Sequence, residues 1–115
     1  MNTPDHIEAN GGYRYCLYLL PEYDKPDWDF ESEEDEQETL RKIDSGVLLW
    51  FCAKVTFEAE VLGKWVELGT DYLGGCCYDS IEDFINDGYY TDMKATALEQ
   101  AKVARTDILE LEVLK

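Results

Sequence analysis

The chain has 115 residues and a mass of 13.3 kDa, the size of one domain. Ten Lys and Arg stand against 26 Asp and Glu, a net charge of −16, which excludes nucleic acid and anionic membrane surfaces as direct ligands because both need clustered cations. Hydrophobic residues at 45% and aromatics at 13% are enough to bury a core, which excludes disorder along the whole chain.

Residues 1–12 are polar, end in Asn10-Gly11-Gly12, and read as a flexible lead-in. Residues 13–115 then form the single domain. Tyr13 to Leu20 is rich in strand formers and apolar on both faces, which suits a central strand that Pro21 stops. Residues 22–38 hold ten acids and one Lys, a local net of −9. A short helix starts within this acidic segment. Ser32 caps it, Glu33, Glu34 and Asp35 face the positive end of the helix dipole, and Ser45-Gly46 ends it.

Residues 47–61 open as an apolar run and then alternate. Val55, Phe57, Ala59 and Val61 fall on one face; Thr56, Glu58 and Glu60 fall on the other, expected to be wet. Leu62-Gly63-Lys64 is a tight turn into a returning strand at Trp65–Leu68, with Gly69 and Gly74-Gly75 as breaks. Ser80 and Asp83 signal a short helix over Ile81–Asn86. A longer helix runs from about Tyr90 to about Arg105, with Met93, Ala97, Ala101 and Ala104 on one face. Ile108 to Leu114 alternates Leu and Val with Glu and reads as a last edge strand. The expectation is one α+β domain: an antiparallel sheet of about four strands with two to three helices packed on it. The order β-α-β-β-α-β is that of ferredoxin-like folds.

No catalytic kit is visible. His6 is the one histidine, placed in the lead-in, where a Cys–His or Ser–His–Asp arrangement would have to use a floppy tail. Cys76-Cys77 lack the two-residue gap of redox or zinc pairs, and adjacent residues of an extended segment face opposite ways. The carboxylates of residues 24–38 lack the spacing and glycine of a calcium loop. Catalytic residues, metal and cofactor are therefore all read as none. The N-terminus has neither a basic stretch nor an apolar run, so no secretory leader is expected. The longest apolar run, Val47–Ala53, is too short to span a bilayer. A cytoplasmic protein with four reduced thiols is expected.

The acid is the remaining signal. A solvated acidic loop that keeps the protein soluble and does nothing specific is one reading of it. Its interleaving with aromatics points instead to a partner-binding surface: Asp24, Asp27, Trp28, Asp29, Phe30, Glu31, Glu33, Glu34, Asp35, Glu36 and Glu38, with Asp79, Glu82 and Asp83 from a second acidic stretch, Glu67 to Asp92. Sixteen excess charges match about 27 Å of duplex DNA at one charge per ~1.7 Å.

The small acidic domain, its aromatic-studded carboxylates and the lack of a catalytic kit together resemble the DNA-mimic inhibitors of phages and plasmids, of anti-restriction or anti-CRISPR type, and the segments Leu73–Phe84 and Tyr89–Met93 resemble segments of small phage and plasmid proteins that carry no known chemistry. The resemblance implies a non-enzymatic inhibitor in the host cytoplasm. Its partner would be a basic nucleic-acid-binding protein or complex, blocked at its nucleic-acid groove. The alternatives are an acidic subunit or adaptor of a larger assembly, or a small cysteine-dependent enzyme.

Overall fold

The computed structural model describes residues 3–22 and 31–113, with residues 104–113 described by their backbone alone. The elements in order are β1 (His6–Asn10), β2 (Tyr13–Pro21), α1 (Glu33–Asp44), β3 (Leu49–Val61), β4 (Lys64–Tyr78), α2 (Ile81–Ile85) and α3 (Gly88–Val113). The four strands form one antiparallel sheet in the order β1-β2-β3-β4. The α+β class holds, and the ferredoxin-like order does not: helices follow β2 and β4, and no strand follows α3 within the described residues.

Two differences produce that change. Residues 6–10, expected in the lead-in, are an edge strand, with Asn10 opposite Tyr13 across the two-residue turn Gly11-Gly12. Gly11 takes φ 65, the left-handed geometry that a glycine supplies freely and that matches strand twist in such turns. Residues 108–113, expected as a strand, extend α3. No Gly or Pro interrupts the chain from Tyr90 to Val113. Leu and Glu propagate a helix well, and each added residue gains a backbone hydrogen bond. Leu114 lies outside the described residues.

β4 also runs straight through the glycines expected to break it. Gly69 is buried where α3 crosses the strand: a Cβ there would overlap the Ala97 carbonyl and lie 3.1 Å from the Ala101 nitrogen. Gly74 and Gly75 make a bulge, where the register against β3 shifts between Phe51 and Ala53 and Gly75 has φ 66. As the outer strand, β4 would expose unpaired N–H groups. Gln100 Oε1 accepts from Thr70 N at 3.0 Å, and Glu22 Oε2 accepts from Gly75 N at 3.0 Å.

The core lies between the sheet and α2 and α3. Leu17, Phe51, Val55 and Phe57 meet Phe84, Tyr90, Met93, Ala97 and Ala101. Phe84 stands edge-on to Phe51 at 5.4 Å and to Tyr78 at 5.1 Å. The other face of the sheet is not simply wet, contrary to the alternating pattern of β3. Thr56 and Glu58 are buried there. Glu58 accepts from Arg14 Nε at 2.8 Å and from Thr56 Oγ1 at 2.9 Å, and Arg14 lies 4.4 Å from the centre of the Trp65 ring. β3 is a central strand with neighbours on both sides, and Arg14 of β2 and Thr56 of the same strand hold the Glu58 carboxylate. The Cα radius of gyration is 17.7 Å, against about 13 Å for a compact chain of this length.

Candidate partner-binding surface

The two expected acidic groups are both built on helix starts. In α1, Ser32 Oγ accepts from Asp35 N at 3.2 Å, and Glu33, Glu34, Asp35 and Glu36 fill the first turn, with Arg41 and Lys42 in the last. Acids at the start and bases at the end complement the helix dipole. Ser45 is the C-cap and Gly46 follows with φ 82. Ser80 repeats the device for α2, where its Oγ accepts from Asp83 N at 3.2 Å. α1 has no buried residue, and Glu31 and Glu33 to Glu38 are exposed, as are Asp79, Glu82 and Asp83.

β3 and β4 bring the C-terminal end of α1 and the start of α2 to the same end of the sheet. Leu49 pairs with Tyr78, so the exit of α1 and the start of α2 meet there. The first turn of α1 stands one helix length, about 17 Å, from that junction. An apolar groove of 360 Å³ lies beside it, lined in part by Leu19, Leu20, Ile43, Leu48 and Leu49.

The ion pairs divide the acids into two populations. On the sheet, Glu58 has Arg14 at 2.8 Å, Glu8 has Lys94 at 3.3 Å and Glu67 has Lys54 at 3.7 Å. In the helices, Glu38 has Lys42 at 3.4 Å and Glu99 has Lys102 at 3.2 Å. Among the described residues, the side chains of Glu31, Glu33, Glu34, Asp35, Glu36, Asp79, Glu82 and Asp83 make no ion pair. Asp24, Asp27, Trp28, Asp29 and Phe30 lie outside the described residues.

The second acidic stretch does not act as one surface. Glu67 sits toward the β3–β4 turn beside Lys54, and Asp87 Oδ2 accepts from the Tyr78 hydroxyl at 2.7 Å. Burial, the hydrogen bond to Asp87 and its charge together push the Tyr78 pKa well up. Tyr90 is buried in the core, whereas Tyr72 and Tyr89 are exposed. Only its 79–83 portion therefore joins the end of the sheet that α1 reaches.

His6 belongs to β1 and not to a loose tail. Its Nε2 lies 3.6 Å from Glu8 Oε2, and its ring meets Tyr90 edge-on. The Tyr90 hydroxyl donates to Glu8, whose carboxylate also faces Lys94. This cluster ties the edge strand to α3, and sequence periodicity had no signal for it beyond the hairpin glycines.

All four cysteines are free. Cys76 is in the core and Cys77 half-buried, as their opposite facing requires. Burial pushes the Cys76 thiol up to about 11 and also raises Cys16, Cys52 and Cys77. Such thiols are protonated at neutral pH, the opposite of an activated nucleophile. Among the described residues, no group of three or more His, Cys, Asp or Glu converges as metal ligands, and no helix is long and apolar enough to cross a membrane. No protein family, curated protein or solved structure matches the chain.

Proposed function

We propose that the chain is a non-enzymatic inhibitor that uses its acidic end to occupy the nucleic-acid groove of a basic, nucleic-acid-handling protein complex of its host, of CRISPR-Cas or restriction type. One observation carries this reading. Arg14, Lys54, Lys94 and Lys102 pair with acids of the sheet and of α3, while among the described residues the carboxylates in the first turns of α1 and α2 make no ion pair and are exposed. Pairing Glu8, Glu58 and Glu67 with cations weakens the negative field over the sheet relative to the two helix starts, and such an uneven field steers a basic cleft. Glu33 to Glu36 place four acids on successive residues, one per about 1.5 Å of helix axis. Duplex DNA carries one per about 1.7 Å. The apolar groove beside the α1 exit supplies the dry centre that a protein interface sets inside a charged rim.

The test is capture of a DNA-binding complex from host lysate by the immobilised chain, followed by challenge with duplex DNA and with salt. The captured complex should be released by duplex and by about 0.5 M salt, where screening lengths shrink to a few ångströms. A variant carrying Glu33→Gln, Glu34→Gln, Asp35→Asn and Glu36→Gln should lose capture with the sheet intact by circular dichroism. Undiminished capture by that variant would sink the proposal.

A further inference from the structure

The sheet carries its charge in an ordered way on one face. α2 and α3 pack on the side of Phe51, Val55 and Phe57. On the other side, the strand register sets side chains in rows across β2, β3 and β4. One row is Arg14, Glu58 and Glu67. The next holds the smaller Cys16, Thr56 and Thr70, with Ile7 of β1 at its end. The third is Tyr18, Lys54 and Tyr72. Rings hold both cations. Arg14 lies over Trp65, and Lys54 Nζ stands 5.4 Å from the centre of Tyr18 and 5.8 Å from that of Tyr72. Cations laid along rings keep their stems on the sheet and make an amphipathic plateau.

The outer rows differ in sign. The first has one cation against two acids, a net of −1, and the third has one cation and no acid, a net of +1. The three rows together balance to zero, on a chain whose net charge is −16. Trp, Tyr and Arg are the residues that anchor protein interfaces. Tyr72 and Ile7 are 58% and 46% exposed.

We infer that this face binds a second copy of the chain, sheet on sheet, about a two-fold axis that runs along the Cys16–Thr56 row. Charge selects the partner and the direction. Two acidic chains approach most easily where the local charge is balanced, and charges farther off are screened beyond about 8 Å at physiological salt. The axis turns the strands of the second copy end for end, so each row of net −1 meets a row of net +1. Strands running the same way would set like row on like row. The area is of the right order as well. Four strands at a spacing of ~4.8 Å are about 19 Å wide, and the nine residues of β2 run about 30 Å. That is roughly 600 Å² in projection, before side-chain relief is added, against the ~800 Å² of accessible surface each partner buries in a stable interface. The two-fold arrangement uses the same patch on both copies and stops at two.

Sedimentation equilibrium on the purified full chain reads this without any other protein, so the result is independent of the inhibitor reading. The expected mass is twice the 13.3 kDa of one chain. Tyr72→Glu, at an exposed side chain, should return the mass to that of one chain with an unchanged dichroism spectrum. Lys54→Glu makes both outer rows negative, and Glu67→Lys makes both positive. Each alone should weaken association at least about tenfold, and the two together should restore it. Glu67→Lys is the sharper variant, because it lowers the total charge: tightening would mean that overall repulsion governs association, and would overturn the row pairing. A single-chain mass up to the solubility limit overturns the inference, as does a dimer indifferent to Tyr72→Glu. Masses that grow past two chains overturn the closed two-fold arrangement. A face protected only when a different protein is added belongs to that protein and not to a second copy.

Discussion

Gly69 lies directly under Ala97, so close that the smallest side chain at position 69 would overlap the Ala97 carbonyl oxygen. The contact is backbone against backbone, which leaves no flexible side-chain end to move aside. Gly69→Ala should lift α3 from β4 and cost about 1–3 kcal/mol or more, the range of overpacked cores. Urea denaturation reads it as a lowered midpoint. A midpoint unchanged from the parent chain would show that α3 has slack at this crossing.

Glu58 is buried and its ion-pair partner, Arg14, is half-buried. Removing Arg14 leaves a carboxylate that is 6% exposed without its cation, though Thr56 still donates to it, and an uncompensated buried charge is destabilising. Arg14→Met should therefore destabilise strongly, whereas Arg14→Met with Glu58→Met should recover much of the loss. A double variant as unstable as the sum of the two single ones would contradict coupling between these residues.

Acid should loosen the tie between β1 and α3. Burial raises the Glu8 pKa, but the Tyr90 hydrogen bond and Lys94 together lower it further, for a net value below the ordinary 4.5. A carboxyl depressed on folding contributes stability above its unfolded pKa and loses that contribution as pH falls through the folded value. The loss therefore sets in below about pH 4.5. Glu8→Gln should flatten the stability profile on that side, and an unaltered acid slope would place the sensitivity elsewhere. Tyr90 is shifted the other way, first by burial and then by Glu8. Its contribution is complete below the ordinary value of 10 and declines as pH rises through the folded one.

α1 should melt by itself. It has no buried residue, and its start depends on Ser32. Ser32→Ala costs a helix about 1 kcal/mol, so amide exchange across 33–44 should accelerate while the global unfolding midpoint stays put. A drop in the global midpoint would mean that α1 is integrated into the core.

Local rules were legible in the residues themselves. Ser32 and Ser80 cap their helices as their types require, Gly46 follows the C-cap of α1, and Leu62-Gly63 turns the hairpin. The β2 and β3 strands also follow from their strand-forming residues, whereas the wet face expected at Thr56 and Glu58 does not. For the candidate site, the exposed acids of α1 and residues 79–83 were readable as carboxylates. Their separation from Glu67 and Asp87 was not, because it depends on cations and hydroxyls that other strands deliver.

Length and residue type by themselves determined the charge of −16, the helix starts and the central strands, since these depend on neighbours a few positions away. Tertiary structure alone decided which glycines break a strand and which admit a helix, that Thr56 and Glu58 are buried, and that residues 6–10 pair with β2. Each of those outcomes depends on groups brought together from distant parts of the chain: Gly69 with Ala97, Arg14 with Glu58, Glu8 with Tyr90. The net charge followed the same division. Its size belongs to the sequence, and which carboxylates keep a cation beside them was decided by folding, which pairs Glu8, Glu58 and Glu67 of the sheet and leaves those in the first turns of α1 and α2 without an ion pair.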